Sequence, residues 1–139
     1  MNISFNGKPV VNDHDGIVEL SVAEQVQPEV TGLTHPADTL GTLLMVDRNA
    51  PHGLRLHYLV VNLSGESEKG RDGEIILSYE CPNPPAGSGY HTYEFRWYIQ
   101  SAAFSKIPIP KRSSFDLSEF ESTHQLKLLE TKSFQTIRK

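Results

Sequence analysis

The stretch Asn83-Pro84-Pro85-Ala86-Gly87-Ser88-Gly89-Tyr90-His91-Thr92-Tyr93-Glu94-Phe95-Arg96-Trp97-Tyr98-Ile99-Gln100 carries two opposed instructions in one run. Its first part excludes regular structure: Pro84 and Pro85 remove two backbone donors and fix φ, while Gly87 and Gly89 admit positive φ. Its second part has the period of a strand. His91, Tyr93, Phe95, Trp97 and Ile99 share one face, and Thr92, Glu94, Arg96 and Tyr98 share the other. A stiff loop therefore delivers the chain into a strand with an aromatic inner face. His91 heads that face, an unusual place for an imidazole unless something there uses it.

Working outward, short apolar runs separated by proline and glycine predict further strands at Ile17–Val22, Thr42–Asp47, Leu56–Leu63 and Glu74–Glu80, with weaker ones at Ile3–Phe5 and Ser133–Ile137. Leu56–Leu63 is apolar almost throughout, as a strand covered on both faces would be. Asp116-Leu117-Ser118-Glu119 has the D-x-x-E form of a helix start. Gly65–Gly73 is polar, charged and the best candidate for a flexible loop. The chain reads as mainly β, with one or two short helices.

The chain has 139 residues, which fits a single domain over 1–139 with a core of its own. With 37% hydrophobic and 22% charged residues it is neither disordered nor membrane-spanning. Its formal charge of -4 supplies no global field for DNA or RNA. A lone cysteine, Cys81, and the lack of a charged-then-apolar leader lead to the expectation of a cytoplasmic protein, with peripheral membrane contact at most. Two glycosylation triplets, at Asn2 and Asn62, carry little weight without a secretion signal.

Three segments put polar groups at strand ends: Asp47-Arg48-Asn49-Ala50-Pro51, His57 at the head of its strand, and Pro84–Tyr93. If these ends converge, they form a cavity with two imidazoles, a carboxylate, an amide, a phenol and loop N–H groups. Such a donor set suits an oxyanion. Asp47 would accept from one imidazole, fixing its tautomer and favouring its protonated form.

These segments resemble the phosphatidylethanolamine-binding protein family, also called Raf kinase inhibitor proteins. Asp47–Pro51 is similar to that family's D-P-D-A-P motif and Leu56–Asn62 to its H-x-L-V-V-N strand. Tyr79 with Pro84–Tyr93 resembles its Y-x4-P-P-x-G-[ST]-G-x-H-R-[YF] signature, and Arg112–Phe115 with Phe120 its R-x-x-F-x4-F segment. The resemblance implies a β-sandwich with a large central antiparallel sheet and a small anion pocket lined by Asp47, Ala50, Pro51, His57, Asn83, Pro84, Pro85, His91 and Tyr93. Asn49 stands where the family has a second acid, which would make the pocket friendlier to anions, and Arg48 would add a cation at the rim. Cys81 and Asn83 would narrow the mouth. The chain ends soon after Phe134, so the C-terminal helix bordering the pocket in longer members is expected to be missing and the pocket more open. The function so implied is non-enzymatic: no cofactor, no metal, and a phosphate-bearing ligand, either a phospholipid head group or a phosphorylated residue. A kinase or other signalling protein would be the regulated partner.

Plainer readings compete. A lone histidine is more often a satisfied core residue than a ligand, but His57 and His91 occur together in the pattern above. His14, His35, His52 and His124 read as solvated loop residues, and Arg138-Lys139 as a frayed end. Zinc is disfavoured by the absence of paired-ligand spacing. A serine hydrolase built on Gly87-Ser88-Gly89 lacks the strand-to-helix elbow. Two alternatives from other classes stay open: a hydrolytic enzyme using His57 or His91 with Asp47, and a protein-interaction scaffold with a vestigial pocket.

Overall fold

In a computed structural model, residues 1–10, 16–36, 38–64 and 73–139 are described. The elements are β1 (Asn2–Phe5), β2 (Lys8–Pro9), α1 (Leu20–Ala23), β3 (Glu29–Thr31), β4 (Leu40–Asp47), β5 (Arg55–Ser64), β6 (Glu74–Leu77), β7 (His91–Gln100), α2 (Leu117–Thr123) and β8 (Lys127–Thr136). They form a three-stranded sheet in the order β2-β1-β3 and a five-stranded antiparallel sheet in the order β6-β5-β4-β7-β8.

The aromatic stripe explains the arrangement. Tyr93, Phe95 and Trp97 are buried and join Leu43, Met45, Val60, Leu63 and Phe134 against Ile3, Phe5 and Val30 of the small sheet. That is the interior of a two-sheet sandwich. The opposite face of the large sheet presents Leu44, Val46, Leu56, Leu59, Val61 and Tyr98 to Ile107, Phe115 and Phe120. The large sheet is thus covered twice, which is why β4 and β5 are almost continuously apolar. α2 starts where D-x-x-E places it: the Asp116 carboxylate accepts from the Glu119 amide at 3.0 Å.

Several expectations are corrected. Ile17–Val22 is not a strand. Ile17 makes only an isolated parallel bridge to Gln135, and the chain turns into α1 at Leu20. Val18 and Val22 pack on the core, and Ala23, next to Val22, is buried as well, a consecutive pair that an alternating strand would not turn inward. β6 stops at Leu77, and β8 begins at Lys127, well before the expected Ser133. Ile99 is only half-buried at the end of the stripe, although β7 keeps unbroken register with β4 there. β2 and β3 are too short to show a period. The His14 turn and the 65–72 part of the charged loop lie outside the described residues. Among the described residues no helix is long and apolar enough to cross a membrane.

Candidate functional site

The antiparallel order brings the end of β4 together with the starts of β5 and β7: Asp47 lies in register with Arg55 on one side and Tyr93 on the other. Asp47, His57 and His91, remote in sequence, therefore meet at one end of the large sheet. There they line a cavity of about 570 Å³ with Ala50, Pro51, Asn83 and Pro85.

The polar contacts are specific. His91 Nδ1 donates to Asp47 Oδ2 at 2.8 Å, and both residues are buried. The other carboxylate oxygen of Asp47 accepts from the Asn49 amide at 2.8 Å. His91 Nε2 lies 2.8 Å from Ser88 Oγ, so both ring nitrogens of His91 are engaged. His57 differs. Its Nδ1 faces the Glu80 carbonyl oxygen at 2.7 Å, which can only accept, so Nδ1 carries a proton. Its Nε2 is buried without a protein partner, as is Tyr93 Oη. Tyr93 stands between the imidazoles, edge-on to His57 at 5.3 Å and stacked with His91 at 6.3 Å.

Burial sets the protonation of this group. Desolvation holds His57 below the usual imidazole value, outweighing the Glu80 carbonyl and the Glu80 and Asp47 carboxylates, while Arg55 pushes it lower still. Burial also raises the Tyr93 phenol, aided by the Asp47 charge, so Tyr93 stays a hydroxyl donor. Asp47 and the Asn83 backbone lie near enough to perturb that phenol, yet no hydrogen bond to it is complete.

This has a consequence for stability. Between the depressed folded-state pKa of His57 and about 6.5, the unfolded chain binds a proton that folded His57 does not. Stability is therefore lost as pH falls below about 6.5. Half-buried His124, also lowered by desolvation, acts in the same direction. Urea unfolding across this window should show a smaller pH slope for His57→Gln than for the parent, with His124 common to both. Equal slopes would remove His57 as the source.

Some expected residues sit elsewhere. Asn49 is exposed and forms a stitch, its side-chain oxygen accepting from the Thr92 amide at 2.7 Å. Its expected effect on the cavity charge is corrected accordingly. Arg48 turns away to Glu94 at 3.1 Å. Pro84 is buried behind the wall, and Tyr93 lies beneath it. Arg138, expected to fray, donates to the Pro84 carbonyl at 2.9 Å and to Asn83 Oδ1 at 2.8 Å. His35 is also corrected: its ring lies 5.3 Å from Trp97, and its Nδ1 meets Thr39 Oγ1. His124 packs on Phe120 and Phe104, whereas His52 is exposed as expected.

Other wall residues were not anticipated. Glu24 and Gln25 follow α1, and Arg55 and Glu80 form a two-point ion pair with both N···O distances 2.8 Å. That pair holds Glu80 below the usual carboxylate range. Arg55 was legible, two residues before His57 and so on the same face of its strand. Glu24 carries no local signal, because the run before it, Ile17–Val22, fits a strand pattern. The Arg112 guanidinium braces the site from behind, donating to the His57 carbonyl at 3.0 Å and the Ser78 carbonyl at 2.8 Å. Among the described residues no cluster of three metal-ligating side chains exists.

Comparison with known proteins agrees with this architecture. The chain superposes on a carboxypeptidase Y inhibitor solved with its cognate proteinase, with TM-score 0.81, 20% identity, 99% of this chain and 82% of that one. It superposes equally well on a phosphatidylethanolamine-binding protein from Plasmodium vivax, with TM-score 0.80, 21% identity, 99% of this chain and 84% of that one. In sequence it is 30% identical to TERMINAL FLOWER 1 of Arabidopsis thaliana, covering 92% of this chain and 73% of that protein. It is 32% identical to a 26 kDa secreted antigen of Toxocara canis, covering 76% of this chain but only 40% of that protein. The secreted relative overturns the cytoplasmic expectation, since a single cysteine on this scaffold does not place the chain inside a cell. The model of the family described as phosphatidylethanolamine-binding protein matches residues 9–135, and the chain belongs to that family.

Proposed function

We propose that the protein, as one domain over 1–139, is a non-enzymatic binding module whose sheet-end cavity takes a phosphate-bearing ligand and thereby regulates a kinase or other signalling partner. One observation carries this reading: His57 Nε2, on the cavity wall, is buried without a partner, and so is Oη of Tyr93, whose ring lies edge-on to His57 beneath that wall. Leaving such atoms unpaired is costly, and a ligand oxygen that pairs with them offsets the cost. Tyr93 supplies a donor at any working pH. His57 Nε2 is an acceptor when the ring is neutral, matching a P–OH group, and a charged donor once protonated. With both ring nitrogens engaged, His91 contributes to ligand binding by shaping the wall and not as a free donor.

The cavity is not simply basic. Asp47 is matched by His91 and Glu80 by Arg55, while Glu24 lies 3.9 Å from Arg138. Selectivity then rests on placed hydrogen bonds more than on net field.

Titration with inorganic phosphate, phosphorylethanolamine and O-phosphoserine, followed by calorimetry and the His57 and Tyr93 ring resonances, separates the possible sources. Affinity should rise as pH falls through the His57 transition. Tyr93→Phe should weaken binding roughly tenfold, the order of a hydrogen bond to a charged group. Binding that ignores both pH and Tyr93→Phe would refute the site.

A further inference from the structure

Ser88, His91 and Asp47 form a continuous hydrogen-bonded chain that the binding reading leaves unused. Ser88 Oγ is 2.8 Å from His91 Nε2, and His91 Nδ1 is 2.8 Å from Asp47 Oδ2. The imidazole and the carboxylate are 1% and 4% exposed, whereas Ser88 is exposed. From these distances and exposures we propose that Ser88 is an activated nucleophile that accepts an acyl or phosphonyl group from activated esters, with His91 as its general base.

The local chemistry supports the assignment. Asp47 can only accept when ionised, so the proton of His91 lies on Nδ1 and the neutral ring turns the Nε2 lone pair towards Ser88. The Ser88 hydroxyl has one hydrogen and two acceptors, His91 Nε2 and the Pro85 carbonyl oxygen at 2.6 Å. When the hydrogen points to His91, the serine oxygen is free to attack. When His91 is protonated, Nε2–H donates to Ser88, whose own hydrogen turns to Pro85. One set of heavy-atom positions serves both states, so the proton transfers without rearrangement. Gly87 and Gly89 hold φ at 80° and 79°, a region open to them without a Cβ, and the space beside both is clear. Ser88 itself is exposed, so a reagent can approach this loop. The arrangement differs from a strand-to-helix nucleophile elbow, because the serine lies three residues before its own base, on the loop that leads into β7.

Ser88 Oγ bonds to the carbonyl carbon or phosphorus, and its proton passes to His91 Nε2. The bond to the leaving group breaks, and the leaving group departs with that electron pair. The proton on Nε2 then passes to the leaving group or to water. The product is an ester of Ser88, made once per molecule, and it does not require the cavity to bind phosphate.

A fluorophosphonate probe and p-nitrophenyl acetate, followed by intact mass and peptide mapping, provide the test. The folded protein should gain one adduct on Ser88 at least about a hundredfold faster than the same chain in urea, the lower range of general-base assistance. Ser88→Ala should abolish the adduct, and His91→Gln should slow it to the rate of the unfolded chain. Asp47 acts through His91, so Asp47→Asn should change the pH profile of labelling and not its site alone. Ser88 labelling no faster in the fold than in urea, or an adduct elsewhere that survives Ser88→Ala, would overturn the proposal. The phosphate titration is read on unlabelled protein, so either result stands without the other.

Discussion

Trp97→Ala is expected to cost about 3–5 kcal/mol of folding stability, the range for truncating a large buried aromatic. The ring is 1% exposed, and its Nε1 donates to the Thr34 carbonyl at 2.8 Å, so the change loses both packing and a hydrogen bond. Its specificity lies across the sheet. A Cβ added to Gly41 would run into the Trp97 ring, which has no room to retreat, so Gly41→Ala alone should cost about 1–3 kcal/mol by overpacking. In the double variant the new methyl enters the space the ring has left. The two effects should then sum to clearly less than the single costs, as contacting residues do. Urea unfolding followed by far-UV circular dichroism measures all three variants, which is necessary because Trp97 is the only tryptophan. Strictly additive costs would mean that the ring and Gly41 do not meet.

This end of the fold was legible because long strands repeat their pattern. The alternation from His91 to Trp97 gave the inner face of β7, and the apolar run of β5 gave its double coverage. The same rule misplaced Ile17–Val22, where six residues fit a strand as easily as a turn of helix. Val22 and Ala23 turn into α1, and with Val18 just before it they pack on the core between the sheets, which a local pattern does not reveal. β8 was recognised only at its end, since most of its first half is exposed at the sheet edge and carries no apolar period.

The site was legible in part for a related reason. Asp47, His57 and His91 stand at strand ends, and antiparallel pairing fixes which ends meet. What a pattern cannot give is the saturation of each polar atom. Both nitrogens of His91 are engaged, while one nitrogen of His57 is not, although the two residues look alike in sequence. Nor does any local signal bring Arg138 back across the Asn83–Pro84 wall, a contact between residues about fifty positions apart. Long-range side-chain contacts of this kind depend on the finished fold, and they decide which sheet-end groups face a ligand.

The second large effect is expected at Asp47. Asp47→Ala should cost several kcal/mol, at about 1–3 kcal/mol for each buried donor left unpaired. The carboxylate is 4% exposed and accepts from two donors, His91 Nδ1 and the Asn49 amide, which the alanine leaves unpaired. Asp47→Asn keeps the shape but can offer its oxygen to only one of those donors, and its NH2 group faces the other. Its cost should therefore fall between those of the parent and Asp47→Ala. Asp47 is also the hinge between two chemical roles of this sheet end. Without it, His91 loses the contact that fixes its ring, so the cavity wall and the Ser88 chain should weaken together. An Asp47→Ala protein with parental stability in urea would show that water reaches the pair and satisfies it. The buried carboxylate would then organise neither the cavity nor the serine.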